Sequence, residues 1–316
     1  MKKLFIPMTI LLATGSLMGC NNSETPVDYS DLKIACPSGA PALALYDIYN
    51  AGNVEIVGNA TNIASFLSEN SEKDIVFAPT NLVVSDALKN GAPYKLAAVV
   101  TAGNFFLAAT GSDDNDTLDK DDHIVLFQKN GLPDRLFKYV YGSDFTNLEY
   151  VDAANFAAAR LITGDADYVL VPQPAFTPAL TKAKQARPNA KIMCNVQTDY
   201  QAKTGDSSIT QASIYVRNTD DQDKIKKVNK FLEDTSNKVS SLLENADNLD
   251  SLSSLEDSEL SSKFGAPNLT ILKKVVRENS LNLCYKDGFG EKGAIDKFLK
   301  NLGFTNEDTS ESLYWK

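Results

Sequence analysis

The chain is poor in the residues that most catalytic and metal sites use, with one histidine and four cysteines among 316 residues. His123 stands alone, and Cys20, Cys36, Cys194 and Cys284 are too scattered for a clustered zinc site, so neither metal nor cofactor is expected. Arginine is scarce too. Arg135, Arg160, Arg187, Arg217 and Arg277 are the whole supply of bidentate clamps for phosphate or carboxylate. Basic charge is outweighed, 31 Lys and Arg against 41 Asp and Glu for a net charge of −10, which argues against a nucleic-acid partner. No Gly-x-Ser-x-Gly elbow accompanies the single histidine, so a hydrolase triad has no visible nucleophile. His123 opens a strand and reads as an edge or surface residue, and no enzymatic activity is expected.

What is present begins at the N-terminus. Lys2 and Lys3 precede an apolar run at residues 4–12 and small residues ending Leu17-Met18-Gly19-Cys20, the pattern of a secretory signal. The run is shorter than the roughly 20 residues a membrane-spanning helix needs. Leu17-Met18-Gly19-Cys20 also resembles a bacterial lipobox, which implies a signal peptide over residues 1–19, cleavage before Cys20 and a diacylglycerol on its thiol. Residues 20–30 are polar without apolar periodicity and read as a flexible tether. With Cys20 acylated, three cysteines remain, which permits one disulfide at most; a Cys194–Cys284 pair stays open, and Cys36 reads as a small buried residue.

From residue 32 the chain alternates apolar runs with amphipathic segments. Strands are predicted at 32–36, 54–57, 74–78, 94–101 and 105–110, and helices at 42–49, 63–69 and 82–89. An acidic stretch, residues 111–122, interrupts the pattern and reads as a solvated connector at a boundary; Asp114 and Asp116 lack the glycine and terminal glutamate of a calcium loop. A second set follows, with strands at 123–128, 148–151, 168–171 and 191–193 and helices at 133–141, 155–162 and 175–186. One more strand, 213–217, precedes polar amphipathic helices at 222–245, 254–263, 269–279 and 294–302. Strand and helix in alternation indicate α/β architecture with largely parallel sheets.

Ligands of open α/β sheets bind beyond the carboxyl ends of strands. Six turns at such ends are rich in small and neutral polar residues, and none of the six is a phosphate loop or a dinucleotide fingerprint. Ser38, Gly39 and Ala40 follow the first strand, Thr80 and Asn81 the third, and Asn104 with Phe105 lie between the next two. In the second set, Gln128 with Asn130, Asn155 and Gln173 occupy the equivalent places. These hydroxyls and amides, with Tyr46 and Phe105 as stacking surfaces, predict a small, neutral or weakly charged, hydrogen-bonding and heterocyclic ligand.

At this point the chain resembles the solute-binding lipoproteins of bacterial ABC importers, specifically the NMT1/THI5-like group. The resemblance rests on the lipobox, on Leu32-Lys33-Ile34-Ala35 with Ser38-Gly39-Ala40-Pro41, and on residues 74–81. Thr163-Gly164-Asp165-Ala166-Asp167-Tyr168 and residues 199–205 ahead of strand 213–217 complete it. It implies a type II periplasmic-binding-protein fold with two lobes, 31–111 plus 212–316 and 112–211, joined by crossings near 110–122 and 206–213. It also implies an extracytoplasmic, membrane-anchored monomer that captures a small solute and delivers it to an ABC permease and its ATPase. Two rivals are an enzyme on the same fold, resembling chorismate dehydratase, and an adhesin-like interaction lipoprotein. The export signal argues against the first, and the second needs an exposed apolar patch.

Overall fold

Apolar runs become strands here because both of their faces are covered. The computed structural model describes residues 27–58, 60–89, 93–112, 117–205 and 209–316. The expected signal peptide, Cys20 and most of the tether lie outside the described residues. First come β1 (Ile34–Pro37), β2 (Val54–Val57), β3 (Ile75–Pro79), the single turn α1 (Asp86–Lys89) and β4 (Tyr94–Thr101). Alternate residues of β1 and β3 feed two cores: Cys36, Ile75 and Phe77 enter one, Ala35, Val76 and Ala78 the other. Burial on both faces requires the unbroken apolar runs read in the sequence.

The chain continues through β5 (Phe105–Ala109), β6 (Ile124–Phe127), α2 (Leu132–Tyr141), β7 (Leu148–Val151), α3 (Ala154–Thr163), β8 (Tyr168–Pro172), α4 (Phe176–Ala186), β9 (Lys191–Asn195) and α5 (Val196–Thr204). It closes with β10 (Ala212–Arg217), α6 (Gln222–Glu244), α7 (Asp257–Phe264), α8 (Leu269–Arg277), β11 (Leu283–Asp287) and α9 (Lys292–Asn301). The strands form two sheets, in the orders β2-β1-β3-β10-β4-β11 and β7-β6-β8-β5-β9.

The two sheets exchange strands. β5 runs antiparallel between β8 and β9, and β10 runs antiparallel between β3 and β4. Each occupies the fourth place of a sheet that its chain has just entered. This corrects the expected boundary, because residues 105–111 belong with the second lobe and not the first. The changeover falls at residues 102–104, well before the acidic stretch, and the return falls between α5 and β10. Acidic residues marked a solvated loop inside the second lobe; part of that loop, 113–116, lies outside the described residues.

Helical expectations need correction at three places. Residues 40–45, 60–67 and 80–84 form 3-10 helices, Ala40–Leu45, Ala60–Leu67 and Thr80–Val84, instead of α-helices. At 6, 8 and 5 residues these runs are long for the tighter helix. The α5 helix and β11 strand were not expected at all.

The first sheet carries α6, α7 and α8 on one face, where Phe231, Leu242, Leu249, Phe264 and Leu272 are fully buried. Helix α9 lies on the other side and reaches the second lobe. Its Phe298 ring stands 5.9 Å from Tyr200, Asn301 Nδ2 donates to the Tyr200 hydroxyl at 3.1 Å, and Arg135 of α2 donates to the carbonyls of Leu302 and Gly303 at 3.2 and 2.7 Å. Cys36, Cys194 and Cys284 are all free thiols, so the pairing left open in the sequence is not made. Among the described residues no helix is long and apolar enough to cross a membrane.

Candidate functional site

A cavity of about 680 Å³ opens between the two sheets, lined from both lobes and from both crossings. Its first-lobe wall starts at the end of β1. Gly39 there has φ of 98°, a region that favours glycine, and its N–H donates to the Lys263 carbonyl at 3.0 Å. That bond joins the turn after β1 to α7, so Ser38, Gly39 and Ala40 share the wall with Ser261, Ser262 and Gly265. Gly265 comes close to the second lobe, since a Cβ on it would stand 3.3 Å from Pro174 Cγ.

The floor is the first crossing. Asn104 is 2% exposed; its N–H donates to Gln211 Oε1 at 3.1 Å, its carbonyl accepts the Gln173 N–H at 2.9 Å, and its Nδ2 donates to the Gln173 carbonyl at 3.2 Å. Its Oδ1, shielded from water, has no partner. Beside it the Phe105 and Phe127 rings lie 6.0 Å apart at 49°, and both line the cavity.

The second-lobe wall is built where β6, β7 and β8 end. Gln128 has φ of 55° and its carbonyl accepts the Gly131 N–H at 2.7 Å, turning the chain into α2. Asn155 lies in the first turn of α3. Gln173 caps α4, accepting the Thr177 N–H at 3.3 Å and donating to Thr177 Oγ1 at 2.8 Å. Eight of the expected residues therefore meet at one cavity: Ser38, Gly39, Ala40, Asn104, Phe105, Gln128, Asn155 and Gln173.

Four do not line it. Thr80 is fully buried: its N–H donates to the Gln211 carbonyl at 3.1 Å and its hydroxyl bonds Ser213 Oγ at 2.8 Å. The return crossing thus covers the end of β3, and Gln211 takes the wall position expected for Thr80 and Asn81. Asn130 is exposed, and its N–H donates to Asp134 Oδ2 at 2.7 Å at the start of α2. Tyr46 packs against the first-lobe core beside α6. The aromatic surface of the cavity is Phe105 with Phe127.

Sequence reasoning missed Gln211, Lys182 and the α7–α8 residues. Ser261 stands more than 200 positions from Ser38, and no local pattern links them. It also passed over Gly288-x-Gly290-x-x-Gly293, which runs from the end of β11 into the first turn of α9. Packing and turn geometry account for its first two glycines without a nucleotide, while a Cβ on Gly293 would meet nothing within 4 Å. A Cβ on Gly288 would stand 2.5 Å from Leu96, the Gly290 N–H already donates to Asp287 Oδ2 at 2.6 Å, and the acidic Glu291, paired with Lys286 at 3.5 Å, stands at the N-cap position where a phosphate would have to sit. Cys36, beneath the end of β1, has its thiol pushed well up by burial and is inert. Among the described residues no three His, Cys, Asp or Glu side chains gather as a metal site.

No protein-family model and no curated protein sequence matches the chain. Solved structures do. An ABC transporter protein from Parabacteroides distasonis superposes with a TM-score of 0.68 at 16% identity, over 90% of this chain and 98% of that one. The alkanesulfonate-binding protein of Xanthomonas axonopodis pv. citri, bound to MOPS, gives 0.60 at 12% identity, over 90% and 97%. The ligand-binding component of an ABC-type import system from Staphylococcus aureus, with zinc bound, gives 0.58 at 12% identity, over 90% and 97%. The chain has the periplasmic-binding-protein fold.

Proposed function

We propose that the protein is the solute-binding component of an ABC importer, exported, anchored through acylated Cys20, and acting as a monomer that hands a small polar solute to a permease and its ATPase. The observation that carries this reading is the cavity. It lies between two lobes joined at crossings, with serine hydroxyls on the first-lobe wall and amides with two phenyl rings on the second. Closing such walls on a solute buries most of its surface. The zinc of one neighbour does not name this ligand, because among the described residues the cavity lining holds no His, Cys, Asp or Glu.

The test is stabilisation by solute. Metabolite mixtures are screened by thermal melting, and a cognate solute at 100 times its dissociation constant adds about 2.7 kcal/mol. Absence of any stabilising solute across a broad metabolite set counts against the reading. The anchor has its own test, since Cys20→Ala is expected to leave the membrane fraction and to lose the mass of the lipid.

A further inference from the structure

Resting on the solute-binding reading, we propose that the solute has an uncharged, apolar body, a ring or a short hydrocarbon, that fills the inner part of the cavity, while its polar groups stay at the mouth. The side chains that line the cavity sort by exposure. Among the buried ones Asn104 and Gln173 alone are polar, in the company of Phe127, Leu132, Ala158 and Ala179. Neither amide is available to a solute. Asn104 Nδ2 donates to the Gln173 carbonyl, and its Oδ1 is shielded even from water. Gln173 gives both ends of its amide to Thr177. Ser38, Gln128 and Gln211 are half-buried, and Gln211 Oε1 is engaged with the Asn104 N–H. Asn155, Ser261 and Ser262 are exposed, which places them at the mouth.

Proline removes backbone donors from the same walls. Eight of the chain's 12 prolines line the cavity. Pro37, Pro79 and Pro172 are the last residues of β1, β3 and β8. Pro41, Pro133 and Pro178 stand in the first turns of the 3-10 helix Ala40–Leu45, of α2 and of α4. Strand ends and first helical turns are where backbone N–H groups are otherwise left for a ligand, and proline has none to give.

Fixed charge is missing from the interior as well. Among the described residues no Asp or Glu lines the cavity, and Lys182, the one charged side chain that does, is exposed. A polar or charged group carried into this interior gives up water for no partner. A ring or methylene carbon gives up water for the carbon of Phe127, Leu132 and Pro133, which is favourable in proportion to the area covered.

The experiment passes a small-molecule extract of bacterial cells over octadecyl silica at neutral pH and adds the retained and unretained pools separately to the purified protein during thermal melting. The retained pool is expected to raise the melting midpoint and the unretained pool to leave it unchanged. Native mass spectrometry then identifies the bound solute. Ile162 of α3 lines the cavity and is half-buried. Ile162→Asn is expected to weaken binding of that solute at least tenfold, and Ile162→Leu to keep it within about threefold, with the midpoint of each unliganded variant as the check on folding. If Ile162→Asn does not fold, Ala158→Ser, a smaller change on the same face, reads the same effect as a loss of at least threefold. Stabilisation by the unretained pool, or undiminished binding to the folded polar variant, overturns the apolar body and leaves the receptor reading standing. Stabilisation by neither pool overturns both.

Discussion

Gly103 shows how tightly the first crossing is held. A Cβ on it would stand 2.5 Å from Gln197 Oε1 and 2.6 Å from Ile209 Cδ1, and the Gly103 N–H donates to that same Gln197 oxygen at 3.2 Å. Gly103→Ala is therefore expected to cost about 1–3 kcal/mol through overpacking; an unchanged urea midpoint would show that the crossing yields. A second residue gives the molecule an alkaline limit. Burial pushes the Cys284 thiol well above the ordinary range of a thiol, up to about 11. The folded state binds this proton more tightly than the unfolded chain, so the stabilisation is complete below pH 9 and is lost as the pH rises toward about 11. Urea midpoints between pH 8 and 11 should fall over that window, and Cys284→Ala should fall less steeply.

The α3 helix depends on one side chain at its far end. Arg187 donates through Nε to the Thr110 carbonyl at 2.8 Å and through its two terminal nitrogens to Leu161, Ile162 and Thr163 at 2.9, 2.8 and 3.1 Å. It closes the C-terminus of the helix whose opposite end lines the cavity, and it ties that helix to the end of β5. Arg187→Met, which keeps the apolar stem, is expected to lose about 2–3 kcal/mol, because hydrogen bonds from charged donors are the stronger kind. Arg187→Lys should recover little, since one ammonium cannot replace a fork of donors; full recovery in a denaturation experiment would refute the capping role. Elements of this kind were legible in the sequence where apolar runs were long or strictly periodic, as in α6 and β4. Helix α5 was not, because Val196 and Tyr200 are its only large buried apolar side chains, and neither was β11, in which Leu283 alone is fully buried. At the strand ends the sequence supplied the right residue types but not their directions. Asn81 and Asn104 look alike as amides beside buried strands, and only the path of the return crossing keeps one from the cavity and lays the other on its floor.

Across the whole molecule, the cavity sits between the crossings and the contact of Gly265 with Pro174, so closure must change that contact. Small-angle scattering with saturating solute should show a compaction, and an identical profile with and without it would rule out hinge closure. Sheet membership was the part of the architecture least available to sequence reading: Phe105–Ala109 announces a doubly buried strand but carries no mark of which sheet buries it. The interleaving also sets an order for the chain as it is made. Strands β5 to β9 all lie within residues 105–195, so the second sheet has every partner it needs as soon as that stretch has emerged. The first sheet does not. Strands β3 and β4 are not neighbours, and each shows a bare edge until residues 212–217 arrive to fill the gap between them. Closing a pairing over so long a stretch is entropically slow. For a chain read as exported, the lobe nearest the N-terminus is the one that stays open longest, which leaves the leading segment threadable while the rest is still being synthesised.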